Sequence, residues 1–164
     1  MIQVKKILFP TDFSRQANRA LSHSLRLAKK YQAELHMLHA LVLWDDDPHN
    51  PAYHFPDKEE LQTRLKEAAA TQMTADLEKS GVEDLVIKQV YERGMTPAET
   101  IVRYAGDNDI DLIVIGTHRR RGIRHLIGSV VEEVVRTASC SVLTIRQEKE
   151  EAPAYALYSS QEIL

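Results

Sequence analysis

Leu112-Ile113-Val114-Ile115-Gly116-Thr117-His118-Arg119-Arg120-Arg121-Gly122-Ile123-Arg124-His125-Leu126-Ile127-Gly128-Ser129-Val130-Val131-Glu132 is the stretch on which the reading of the chain turns. Its first four residues form an apolar, β-branched run too short for a helix, which reads as a strand buried on both faces. Gly116 begins a loop where that strand ends. At the far end Ser129-Val130-Val131-Glu132 has capping-box spacing, with a Ser hydroxyl placed for the third helical N–H and a Glu reaching back. Strand, glycine-bearing loop and capped helix thus follow one another. The first N–H groups of such a helix have no intrahelical partner and stand at the positive end of its dipole, so they attract an anion, phosphate above all. Gly128 has no Cβ and lets the backbone approach a ligand closely. The spacing is neither a P-loop, since no Lys precedes Ser129, nor the closely spaced dinucleotide fingerprint.

Outward from this stretch the chain alternates strand and helix. Ile7-Leu8-Phe9 is a short strand stopped by Pro10, and Thr11-Asp12-Phe13-Ser14 is a loop with several candidate N-caps. A helix follows with its buried stripe at Ala17, Ala20, Leu21, Ser24, Leu25 and Ala28. Asp12, at a strand end, either caps that helix or hydrogen-bonds the sugar or base of a ligand. Leu35 to Leu43 is the second strand, in which His36 and His39 read as packed, hydrogen-bonded residues. Trp44 to Phe55 with Pro56 is a long loop broken by three prolines, and its His49, His54 and carboxylates match no defined metal spacing. From Asp57 to about Lys79 a long helix places Leu61, Leu65, Ala69, Met73 and Leu77 on one face, ahead of Gly81. Leu85 to Tyr91 is a more polar strand, expected at an edge. Thr96-Pro97-Ala98-Glu99 is an explicit helix start, with Thr96 as N-cap and Pro97 in the first turn. Asp111 to Ile115 is the fourth strand, Val130 to Ala138 lies in the fourth helix, and Val142 to Ile145 is the fifth strand.

The fold class is therefore α/β, a single doubly wound, Rossmann-like domain with a five-stranded parallel sheet and helices on both faces. Ligands of such folds bind beyond the carboxyl ends of the strands, where strand order reverses. The loops after Phe9 and after Ile115 both lie at that end. The domain is expected over 1–146, with 147–164 a tail that is either disordered or docked on a partner subunit.

Length and composition set the remaining bounds. A chain of 164 residues buries roughly two-thirds of its unfolded surface without disulfides or metals. A net charge of -3 gives no general attraction to nucleic acid or anionic membrane, and the arginines after His118 carry no groove-reading motif. No apolar run approaches the roughly 20 residues of a membrane span, and Met1 to Pro10 is too short for a signal peptide, so a cytoplasmic protein is expected. The lone Cys140 excludes an internal disulfide and reads as an inert, packed thiol.

Lys6-Ile7-Leu8-Phe9-Pro10-Thr11-Asp12-Phe13-Ser14, Leu38-His39-Ala40, Gly94-Met95-Thr96-Pro97-Ala98-Glu99, Asp111 to His118 and Gly128-Ser129-Val130 together resemble the universal stress proteins, from about residue 3 to residue 146. The resemblance implies a homodimer paired through the last strand, Val142 to Ile145, and, as in some members, binding of ATP or another adenine nucleotide, with or without Mg²⁺. Carried onto this sequence, Gly116 would lie by the ribose and phosphates. Gly128, Ser129 and Val130 would hold phosphate, and Pro10, Thr11, Asp12 and Ala40 would border the adenosine. Ile115, Thr117, His118, Arg119 and Gly122 complete the candidate nucleotide-binding set. The family pattern is Gly, two residues, Gly, nine residues, Gly, then Ser or Thr. Here Arg119 replaces the second glycine and the segment from it to Gly128 is one residue short. Successive arginines either compensate beside a phosphate or form a solvated basic turn.

Two functions follow: a regulatory module that binds an adenine nucleotide, or a stress-response scaffold that binds none and acts through protein contacts. An enzyme is not expected beyond weak ATP hydrolysis, because Asp12 and His118 are the nearest candidates and no spacing makes them a catalytic pair. No catalytic or metal-ligating residue is assigned.

Overall fold

The computed structural model describes residues 3–42, 58–117 and 128–146. The loop expected at 44–56, the candidate residues His118, Arg119 and Gly122, and the tail 147–164 lie outside them. Within them the order is β1 (Lys6–Pro10), α1 (Arg15–Tyr31), β2 (Glu34–Val42), α2 (Lys58–Ser80), β3 (Ile87–Gly94), α3 (Pro97–Asp107), β4 (Leu112–Gly116), α4 (Ser129–Thr137) and β5 (Ser141–Ile145). The strands form one five-stranded sheet in the order β3-β2-β1-β4-β5, with every pairing parallel.

Side-chain alternation along the strands divides the core into two layers. Ile7, Phe9, Leu35, Met37 and Val114 pack against the α1 stripe and Met73 of α2. Leu8, Leu38, Ile113 and Ile115 pack on the other face against Ala98, Ile101, Tyr104 and Ala105 of α3 and Val131 and Val134 of α4. Each fully buried Leu, Ile or Phe removes enough apolar surface from water to contribute about 1.5–3 kcal/mol, so a sheet covered on both faces is the stable arrangement. The whole α1 stripe read from the sequence, Ala17 to Ala28, is buried.

Because α1 and α2 carry the chain from β1 outward to β2 and β3, and α3 then returns it to β4 on the other side of β1, strand order reverses between β1 and β4. The β1–β4 register ends at Leu8↔Ile113, although β1 continues to Pro10 and β4 to Gly116. Beyond that pair a crevice opens.

Three local expectations are corrected. β3 begins and ends later than Leu85 to Tyr91, because β2 extends to Val42 and carries its partner along to Gly94. On α2, Leu65 is exposed, and the buried residues Ala69, Met73 and Asp76 lie from the middle of the helix onward, where it covers β2 and β3. The third correction concerns α4. Its N-cap is Gly128, extended at φ -49 and ψ 150, whose carbonyl accepts from the Glu132 N–H at 3.0 Å. Ser129 is therefore the first helical residue, and among the described residues no side chain caps α4. By contrast the Thr96 hydroxyl accepts from the Glu99 N–H at 3.1 Å, as its sequence indicated.

Candidate nucleotide pocket at the strand-order reversal

The crevice widens into a cavity of about 700 Å³ at the carboxyl ends of β1, β2 and β4. Of the candidate residues, Pro10, Thr11, Asp12, Ala40, Ile115, Gly116, Gly128, Ser129 and Val130 line it. Segments up to more than a hundred positions apart in sequence thus meet. Thr117 does not line the cavity: it is buried, and its N–H donates to the Ile145 carbonyl at 2.9 Å, fastening the end of β4 to β5.

The β1–α1 loop supplies one wall. The Thr11 N–H donates to the Leu38 carbonyl at 2.8 Å, its hydroxyl accepts from the Phe13 N–H at 3.0 Å, and Asp12 Oδ1 accepts from the Ser14 N–H at 3.0 Å. The Ser14 hydroxyl in turn caps α1, accepting from the Ala17 N–H at 3.2 Å. This chain of turns places Phe13 at φ 62, in the left-handed region that bulky side chains rarely adopt.

Backbone direction in β2 supplies the next wall. The Glu34 N–H donates to the Lys5 carbonyl and the Leu38 carbonyl accepts from Thr11, both on the β1 side, whereas the Leu35 N–H turns to Val86 on the β3 side. Alternate residues share a side, so the N–H and C=O of Ala40 turn toward β1 beyond its last pair, Pro10↔Leu38. A donor and an acceptor from one residue face the crevice together.

Three helices begin at this cavity. Ser14 caps α1 and Thr96 caps α3, whose Pro97 and Ile101 are in the lining. Among the described residues no side chain caps α4, whose N-cap is Gly128, and its first N–H groups stand at the cavity. A methyl group on Gly128 would meet no atom of the described residues within 4 Å, so their packing does not require glycine there. Gly116 differs: a Cβ there would stand 2.6 Å from the Gln16 carbonyl oxygen of α1. Its smallness serves the packing of α1 on β4.

Sequence reading missed several lining residues: Ser14, Ala17, Leu38, His39, Pro97, Ile101, Val131 and Glu132. The helix-start residues were findable, since every helix of a doubly wound fold begins at the ligand end. His39 was not. Its Nδ1 donates to the Thr11 carbonyl at 2.9 Å and its ring lies 4.7 Å from that of Phe13, contacts set by register between strands. His36, also expected to be packed, is buried, with Nδ1 2.8 Å from the Tyr104 hydroxyl and Nε2 3.3 Å from Glu34 Oε1. Cys140 is half-buried and burial raises its pKa, as befits an inert thiol.

The profile of the universal stress protein family matches residues 3–146. The chain belongs to that family. A universal stress protein of Methanocaldococcus jannaschii is 31% identical over 150 residues, covering 90% of this chain and 85% of its own length. The solved universal stress protein UspA from Lactobacillus plantarum is 29% identical, with a TM-score of 0.71 over 88% of this chain and 99% of that one. A universal stress protein from Archaeoglobus fulgidus, solved in complex with dAMP, is 25% identical, with a TM-score of 0.56 over 88% of this chain and 99% of that one. Among the described residues of this universal stress protein, no helix is long and apolar enough to cross a membrane, and no three His, Cys, Asp or Glu side chains are grouped to hold a metal ion.

Proposed function

We propose that this universal stress protein is a cytoplasmic stress-response regulator that binds ATP or a related adenine nucleotide and changes its surface or stability with occupancy. The phosphates lie at the start of α4, and the base lies between Pro10 and Ala40, where the Ala40 N–H and C=O match the acceptor and donor on one edge of adenine. The observation that carries the reading is the contrast among the three helix starts. Two are capped by side chains, whereas among the described residues no side chain caps α4, and their packing does not need the glycine that begins it. The dAMP held by the related protein from Archaeoglobus fulgidus supports the choice of an adenine nucleotide.

Charge favours a second reading. Asp12 and Glu132 line the cavity, and among the described residues no Lys or Arg does. A polyphosphate there needs Mg²⁺ or the arginines 119–121, which the sequence places between Thr117 and Gly128. Without either, the protein is a scaffold acting through protein contacts. In both readings we propose a homodimer through β5, which pairs on one side with β4 and exposes Leu143; Leu143→Asp would then yield monomers in sedimentation.

The deciding experiment is the melting temperature with and without millimolar ATP and Mg²⁺, preceded by nucleotide extraction from denatured protein. A ligand that binds only the native state stabilises it by roughly 2.7 kcal/mol at one hundred times its dissociation constant. An upward shift or extracted adenine nucleotide supports the regulator. No shift and an empty extract support the scaffold.

A further inference from the structure

We propose that His39 is a positioning residue for this pocket: its ring holds the β1–α1 loop in the conformation that presents Asp12 to the cavity. This inference rests on the nucleotide reading above. Thr11 is tied to β2 at both its backbone groups, through its N–H to the Leu38 carbonyl at 2.8 Å and through its carbonyl to His39 Nδ1 at 2.9 Å. A carbonyl can only accept, so Nδ1 carries the proton, and it does so whether the ring is neutral or charged. The same ring lies 4.7 Å from Phe13, tilted by 35°.

Those two contacts fall on either side of Asp12. Phe13 has φ 62, a conformation that its own side chain disfavours, so the turn must be held by its neighbours. His39 supplies that hold from outside the loop, through its hydrogen bond to Thr11 and its stacking on Phe13. Asp12 Oδ1 then accepts from Ser14 N–H, and Ser14 caps α1. The path runs from β2 through the loop to the helix start. Because Ala40 follows His39 directly, one strand end both offers its backbone to the base and fixes the facing loop.

Two substitutions separate the donor from the ring. His39→Phe keeps an aromatic ring against Phe13 and removes the donor; His39→Asn keeps an N–H near the position of Nδ1 and removes the ring. The first readout is amide hydrogen exchange at Phe13 and Ser14 in ligand-free protein. The second is ATP affinity by calorimetric titration. Loss of one such bond is expected to speed exchange at those two amides by about tenfold in His39→Phe and to weaken ATP binding by a similar factor, with His39→Asn within about threefold of wild type. Unchanged exchange and affinity in His39→Phe would overturn the proposal. So would a rise in exchange spread evenly over the sheet, which marks general destabilisation. A wild-type protein that binds no ATP refutes the nucleotide reading alone, while the ligand-free exchange rates still decide whether His39 holds the loop.

Discussion

Gly116 and Gly128 both line the cavity, yet replacing each by alanine should have opposite consequences. At Gly116 a new Cβ would lie 2.6 Å from the Gln16 carbonyl oxygen and 2.9 Å from its carbon, both backbone atoms of α1. The first turn of α1 must then lift from β4. Overpacking of this kind costs about 1–3 kcal/mol. For a domain of this size about 2–4 °C of melting temperature is lost per kcal/mol, which gives a fall of roughly 2–12 °C. At Gly128 a Cβ would meet none of the described residues within 4 Å, and φ -49 with ψ 150 suits any residue. Alanine is a poorer N-cap than glycine, but it also lowers the entropy of the unfolded chain; the two effects, each about 0.5–1 kcal/mol, nearly cancel. Gly128→Ala should therefore melt like wild type without ligand. With ATP at one hundred times its dissociation constant, wild type gains roughly 2.7 kcal/mol, or about 5–11 °C. Under the proposed placement of phosphate at the α4 start, a methyl group on the residue that begins this helix obstructs it, so Gly128→Ala should lose most of that gain. Melting curves of the three proteins with and without ATP check both halves. A Gly128→Ala protein that keeps the wild-type shift, or that is destabilised like Gly116→Ala, would refute the reasoning.

Other consequences are more local. Burial lowers the pKa of His36 below its ordinary 6.5, against a smaller opposing pull from Glu34, so the native state binds that proton less readily than the unfolded chain. Its stabilising contribution is complete above pH 6.5 and declines as pH falls below it, toward the native pKa; the melting temperature of His36→Gln should vary less over pH 7.5 to 5 than that of wild type. Thr96→Ala removes the cap of α3 and should cost about 1 kcal/mol, read as a lower urea midpoint at unchanged slope. Gln32 ends α1 at φ 53, where glycine relieves the strain of a left-handed side chain, so Gln32→Gly should raise the urea midpoint by the equivalent of about 0.5–1 kcal/mol.

The parts of this protein that were legible in sequence are those fixed by contacts within a few residues. The α1 stripe from Ala17 to Ala28 is a helical period, and every member of it is buried. Thr96 and Pro97 formed the expected helix start because capping acts over three residues of chain, while the Glu99 carboxylate accepts from Arg103 at 3.2 Å. Alternation of strand and helix gave the parallel sheet, and the two strand-end loops gave the place of the cavity. Tertiary structure decided what local preference left balanced or did not touch. Ser129 read as the cap of α4 from its spacing to Glu132, whereas the α4 backbone caps on Gly128 and places Val131 and Val134 on the sheet. β3 reached Gly94 only because β2 was there to pair with it. The glycine at 116 serves contact with α1, and His39 reaches Thr11 across two strands. Such contacts join residues far apart in the chain, and their geometry exists only once the crossovers have set strand order and register.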